Sequence, residues 1–280
     1  MTTSQTIALK YLRTKFKLLS AISRKAAARQ AFDFFCTPTT RNKNPLPPIF
    51  VKAEIIKFNF EGYRIQGYRW NQHAQKKLLI LHGFESSVIN FDKYIRPLIN
   101  KGYEVLAFDA PANGRSSGTK INILIYKRFI LHIIKQFGPV NAFMAHSLGG
   151  LALMICLEEM KFKEKPKVVL IAPATETTTA IDAFFSYLKL DDNLRSEFEN
   201  VIKGLEKNPA EWYSISRAIK NVDASVLWLH DEDDNTTPYA DAKKVSDKNY
   251  PNVTFVTTKG LGHSRIYRDP NISQQVIDFF

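Results

Sequence analysis

Short apolar runs and longer stripes of helical period alternate along most of this chain. "KLLILHG" (77–83), "YEVLAFD" (103–109), "VNAFMAH" (140–146), "KVVLIAP" (167–173), "SVLWLHD" (225–231) and "VTFVTTK" (253–259) are short runs bounded by polar or turn residues. Strands buried on both faces read this way, because neither side of the pleat meets water. Ahead of them, "AEIIKFNF" (53–60) and "YRIQGYRW" (63–70) flank Glu61-Gly62 and predict a hairpin. "INILIYKRFILHIIKQFG" (121–138) carries an apolar stripe at helical spacing and stops at Gly138-Pro139, while "LALMICLEEM" (151–160) and "ISQQVIDFF" (272–280) predict further helices. Two antiparallel strands followed by strand-helix units predict the α/β class, a mostly parallel central sheet flanked by helices.

Two stretches break the alternation. "TPTTRNKNPLPPIF" (37–50) holds four prolines and reads as an extended linker, which divides the chain into a basic N-terminal helical segment with its linker (1–50) and a main domain (51–280). Residues 174–222 are helical in pattern and predict a small cap inserted after the sixth strand. Its aromatics, Phe184, Phe185, Tyr187 and Trp212 among them, are candidates to line an apolar substrate pocket; packing the cap itself is the competing use.

Charge changes this picture at one end only. Nine of the 39 Lys and Arg, but only Asp33 of the 27 acids, lie in residues 1–50, so the net charge of +12 is mostly a property of that segment. Lysines and Arg13 interrupt Ile7 to Leu19, which excludes the continuous apolar core of a signal peptide. Ile7, Tyr11, Leu18, Leu19 and Ile22 fall near helical spacing. The segment is therefore either a basic amphipathic helix weakly associated with anionic membrane, or a helix packed on the domain with its charges in water. Nucleic acid is not an expected partner, since the bases lack interleaved stacking aromatics on a recognisable binding fold. Cys36 and Cys156 sit in apolar surroundings without metal-site spacing, which points to reduced thiols and a cytoplasmic chain.

The chemistry gathers at strand ends. "AHSLGG" (145–150) follows an apolar strand and opens a helix, the setting of a strand-to-helix elbow that exposes Ser147 as a nucleophile. Capping that helix is the ordinary alternative for a serine in this place. A serine hydroxyl needs a base within reach and an acid to orient the base. His263, in the Gly-flanked "TKGLGHSRIYRDP", follows the last strand; "LHDEDDNTTP" (229–238) follows the one before and offers Asp234 as the acid, with Asp233 as the alternative. The backbone N–H groups of Phe84, in "LHGFESS", and of Leu148 are the expected donors to a developing oxyanion.

Taken together, these stretches resemble the α/β-hydrolase superfamily over about residues 50–280. "LHGF" is similar to its oxyanion loop, "FDAPANGRSSG" to its strand-4 loop with Ala112 for the first glycine, and "AHSLGG" to its elbow with Ala145 for the first glycine. "LHDEDDNTTP" and "GLGHSRI" resemble its acid and histidine loops; that register places the acid at Asp234 and makes Asp109 structural. The resemblance implies neither metal nor organic cofactor. The expected function is a serine hydrolase of small-molecule carboxylic esters or thioesters, working through a Ser-His-Asp triad and an acyl-enzyme. Two alternatives stay open: acyl transfer or perhydrolysis at the same triad, and a non-catalytic binding protein of the same fold.

Overall fold

The computed structural model describes residues 3–42 and 44–280; Met1, Thr2 and Lys43 lie outside them. The chain divides into two compact units, one made of the segment up to Thr37 with Glu176–Ser214, the other of Pro38–Thr175 with Ile215–Phe280.

The larger unit is built on one eight-stranded sheet. Its strands are β1 (Glu54–Phe60), β2 (Tyr63–Trp70), β3 (Lys76–Leu81), β4 (Tyr103–Phe108), β5 (Ala142–His146), β6 (Lys167–Ile171), β7 (Ser225–Asp231) and β8 (Val253–Thr258), in the order β1-β2-β4-β3-β5-β6-β7-β8. β2 runs antiparallel to β1 and to β4, and the remaining pairings are parallel. Glu61 and Gly62 both adopt positive φ (43° and 82°), the backbone that a two-residue hairpin needs to follow the twist of its strands. Every residue of β4 and of β5 is buried, Glu104 and His146 included, as strands covered on both faces require.

The longer helices of the two units, numbered together along the chain, are α1 (Thr3–Ile22), α2 (Arg24–Phe35), α3 (Asp92–Asn100), α4 (Ile123–Phe137), α5 (Leu148–Leu157), α6 (Thr177–Leu188), α7 (Asp192–Glu206), α8 (Tyr239–Ser246) and α9 (Pro270–Phe279). Single helical turns occupy Pro48–Val51, at the end of the proline-rich stretch read as extended, Ile215–Ala218, and Gly262–Arg265, which carries His263. α4 starts where Asn122 accepts from the Ile125 N–H, and α9 where Asp269 accepts from the N–H groups of Asn271 and Ile272. α5 is buried at every position from Gly149 to Leu157, which explains an apolar sequence with no polar face.

The proline-rich stretch is fastened to the sheet unit rather than hanging free of it. Arg41 donates to the carbonyls of Ser116 and Gly118, Thr39 donates to Glu85, and Asn42 to Asn90. Phe50 is fully buried edge-on against Tyr68 and Trp70, with ring centroids 4.9 Å from each.

The smaller unit is helical, and the N-terminal segment supplies half of it. α2 packs along α7: Ala27, Ala28 and Ala31 let the two backbones approach, and Phe32 and Phe35 set their ring edges against Phe198 at 5.6 and 5.8 Å. Phe184 meets Phe34 and Phe35, Phe185 meets Phe198, and Arg13 of α1 donates to the Tyr187 carbonyl. The insert thus runs from 176 to 214 rather than 174 to 222, and its packing partners come from 140 residues or more away in sequence, beyond the reach of any local pattern.

Phe198 stands at the centre of this aromatic cluster and is fully buried. Phe198→Ala is expected to remove about 3–5 kcal/mol from the helical unit. Limited proteolysis should then cut first within 176–214, and equal protection of mutant and wild type would contradict this packing.

Candidate active site

β5 delivers Ser147 to the carboxyl edge of the sheet. The serine holds φ 54° and ψ −126°, a backbone that side chains other than glycine's adopt only under constraint, at a cost of order 1–3 kcal/mol. Its peptide groups supply the constraint: Ser147 N donates to Ile171 O, and Ser147 O accepts from Gly150 N (2.9 Å) and Ala174 N (3.1 Å). Although Ser147 occupies the N-cap position of α5, its side chain makes no capping bond. The hydroxyl is therefore not spent on the helix.

Glycines explain how the neighbouring chain comes so close. A Cβ on Gly83 would fall 2.8 Å from Ser147 Cβ and 3.3 Å from Ser147 Oγ, so the "LHGF" loop lies directly against the serine. A Cβ on Gly149 would fall 2.6 Å from the His82 carbonyl oxygen. Ala145, where the elbow pattern has its first glycine, is fully buried between β3 and β6, in register with Leu81 and Leu170. A methyl group fits there. Phe84 follows Gly83 in the loop, and Leu148 is the first residue of α5, whose leading N–H groups have no carbonyl within the helix to bond.

The acidic run after β7 divides its work. Asp234 is buried; its Oδ2 accepts from His263 Nδ1 at 2.8 Å and from Thr237 Oγ1 at 2.8 Å, and its Oδ1 accepts from the amides of Thr236 and Thr237. Asp233 instead accepts from the Gly260 N–H, and Asp231 from the Leu261 N–H and the Thr258 hydroxyl. Asp231 and Asp233 thus anchor the loop that carries His263, while Asp234 meets the imidazole itself. Burial works against the Asp234 carboxylate, but the hydrogen bond and charge of His263 and the two amides outweigh it and hold the group at about 2. Asp109 lies in a separate network. It accepts from Ser87 Oγ, Val88 N and Arg115 N, and a Cβ on Gly114 would come 2.3 Å from its carboxyl carbon.

The family model for serine aminopeptidases of the S33 class matches residues 72–225, more than half of the chain. The chain is an S33-family α/β-hydrolase. It is 28% identical over 102 residues to the uncharacterized hydrolase YugF of Bacillus subtilis (strain 168), a match over 35% of this chain and 37% of that protein. The chain therefore spans little more than a third of the length of that curated relative. Among solved structures it is similar in fold to the Pyrococcus furiosus esterase Pf2001, with TM-score 0.62, 21% identity and coverage of 87% of this chain and 95% of that one. It is likewise similar to the thioesterase domain from the curacin biosynthetic pathway, with TM-score 0.58, 16% identity and coverage of 81% and 98%.

Two further side chains meet His263 in this candidate site, and the sequence reading assigned neither a part in the chemistry. Thr237 bridges the pair, its hydroxyl 3.1 Å from His263 Nδ1 and 2.8 Å from Asp234; its place just before Pro238 in the acid loop was the available signal. His146 donates from Nε2 to the His263 carbonyl at 3.1 Å, and its ring lies 4.6 Å from that of His263 and 4.8 Å from that of Tyr267. His82 and His230 are buried and bonded to backbone. Of the four aromatics considered for a pocket, Phe184 and Phe185 have their rings in the helical unit's aromatic cluster, whereas Tyr187 and Trp212 are exposed. Among the described residues no group of His, Cys, Asp and Glu is arranged to hold a metal ion.

Burial, reinforced by the nearby His263, pushes the His146 imidazole down to about 3, and burial likewise lowers His82 and His230. Each would regain its ordinary value near 6.5 on unfolding, so below about pH 6.5 the unfolded chain binds protons that the folded chain refuses. Stability is present above that pH and is lost as pH falls; the depressed Asp234 adds a loss of the same sign further down, below about pH 4. Calorimetry should give a Tm that falls steadily from about pH 7 to pH 5. A constant Tm over that interval would mean that these histidines are not held neutral.

Proposed function

We propose that this hydrolase cleaves carboxylic esters and thioesters through an acyl-enzyme formed on Ser147. The observation that carries the proposal is the His263–Asp234 pair. With its Nδ1 proton committed to a carboxylate at 2.8 Å, the imidazole presents Nε2 as the basic nitrogen. In the proposed reaction Nε2 takes the proton of Ser147 Oγ as that oxygen attacks the substrate carbonyl. The same proton passes to the departing alkoxide or thiolate. Water then attacks the acyl-enzyme, His263 again accepts a proton, and its return to Ser147 frees the acid.

The N–H groups of Phe84 and Leu148 are the donors proposed for the tetrahedral oxyanion. They lie on the loop that Gly83 brings against Ser147 and at the first residue of α5. Main-chain donors of this kind need no reorganisation during the reaction, which is why they stabilise developing charge well. The named esterase and thioesterase of like fold agree with this bond class. Asp234 serves as a positioning and charge-stabilising residue, since it touches the base and not the substrate.

Ester hydrolysis by Ser147→Ala should fall to background in a screen of p-nitrophenyl and coenzyme A esters of increasing chain length. A fluorophosphonate probe should add its mass to Ser147 of the wild type; native protein that takes up no probe refutes nucleophilic catalysis.

Asp234→Asn leaves the shape of the loop but removes the charge, and it is expected to lower kcat by up to about ten-thousandfold with KM little changed. Gly83→Ala forces the loop away from Ser147 and should slow probe labelling on the order of a hundredfold. A Gly83→Ala variant that labels at the wild-type rate would show that the close approach of this loop is irrelevant to the chemistry.

A further inference from the structure

α1 is apolar on two opposite faces. Leu9 and Phe16 are buried within the protein, at 8% and 1% exposure. Ile7, Tyr11, Leu18 and Ile22 are exposed to 64%, 66%, 62% and 83%. At about 100° per residue these four fall within an arc of roughly 60°, on the side away from Leu9 and Phe16, and they run about 22 Å along the helix axis. Of the nine exposed large apolar side chains among the described residues, four stand on this one helix. Scattered apolar residues are ordinary on a surface; four aligned in one stripe are not.

The charged residues that border the stripe are all basic. On the same helical geometry Lys10 and Lys17 flank it on one side and Lys15 on the other, all exposed, and α1 contains no acid. Arg24 and Lys25 continue the exposed positive charge at the start of α2. An apolar ridge flanked by cations, on a helix already fixed by its opposite face, matches a bilayer interface: side chains enter at the acyl boundary while lysines meet phosphates. A second copy of the chain suits it less well, because facing two such stripes would bring like charges together as they lose water. No described helix is long and apolar enough to cross a membrane, so the contact is interfacial.

We propose that the outward face of α1 docks this hydrolase on bilayers bearing anionic headgroups. Docking would hold the enzyme where acyl substrates are concentrated, but the binding claim is independent of the catalytic one. The 280-residue chain should co-sediment with vesicles of phosphatidylcholine and phosphatidylserine, and not with phosphatidylcholine alone, with retention falling as salt is raised. The double variant Ile7→Ser/Leu18→Ser should lower partitioning about tenfold or more with Tm unchanged, since both positions are exposed. Lys10→Gln/Lys17→Gln should weaken binding and flatten its salt dependence.

Amide-hydrogen exchange over residues 5–22 of the wild type, slowed by anionic and not by neutral vesicles, carries the test should a variant fail to fold. Protein that stays in the supernatant at every salt concentration overturns the proposal. So does retention that is unaffected when the stripe is made polar. Self-association that disappears in Ile7→Ser/Leu18→Ser, without vesicle binding by the wild type, assigns the face to a second copy and equally overturns it.

Discussion

The close approach of two chain segments at one serine is the constraint on which the larger unit is organised. Ser147 sits in a backbone conformation that costs free energy, and it is kept there because its N–H donates to Ile171 of β6 while its carbonyl accepts from Gly150 of α5 and from Ala174. The "LHGF" loop can lie against it only because position 83 has no side chain, and α5 can start so near the His82 carbonyl only because position 149 has none. Strain at the elbow and the close approach of the loop beside it meet at the same residue. Both leave a hydroxyl that no helix cap has claimed.

A second organising feature is the division of three adjacent carboxylates. Isolated acids in a run repel one another and face water, but here Asp231 and Asp233 bind the backbone of residues 260–261 while Asp234 binds His263. The histidine loop is thereby tied to the acid loop at several points. His146 adds a tie from the nucleophile side, since its ring packs on His263 and donates to its carbonyl. A neutral, buried imidazole in that position links the site to the fold: what keeps it uncharged is the same water exclusion that strengthens the Asp234 bond.

The N-terminal segment has an inward and an outward face. Its inward residues help to build the helical unit, through Phe32, Phe34 and Phe35 of α2 against the rings of α6 and α7. Its outward residues remain exposed and basic. Packing and surface chemistry therefore use different faces of the segment, while two of its cations are spent inward, Arg13 on the Tyr187 carbonyl and Arg41 on the carbonyls of Ser116 and Gly118.

The interior strands were legible because burial on both sides demands consecutive apolar residues, and β1 and β2 because they flank a two-residue turn; β2 and β7 run over the same residues that their patterns predict, and the others differ by a residue or two. Ser147, Asp234 and His263 stand out in the sequence because each lies just beyond a strand end, where a parallel sheet gathers its polar loops. Partnership was a different matter. That Asp234 rather than Asp233 meets the imidazole depends on which side of a tight turn each carboxylate faces, and Thr237 and His146 are ordinary residues until the fold brings residue 263 to them. The union of residues up to 37 with 176–214 was likewise invisible, since helical periodicity marks an apolar face without naming what covers it. Sequence by itself determined the local elements and the chemistry available at their ends, because those follow from short-range periodicity and residue type. Tertiary structure alone decided which of those groups touch, because contact between distant segments is settled by the packing of the whole chain.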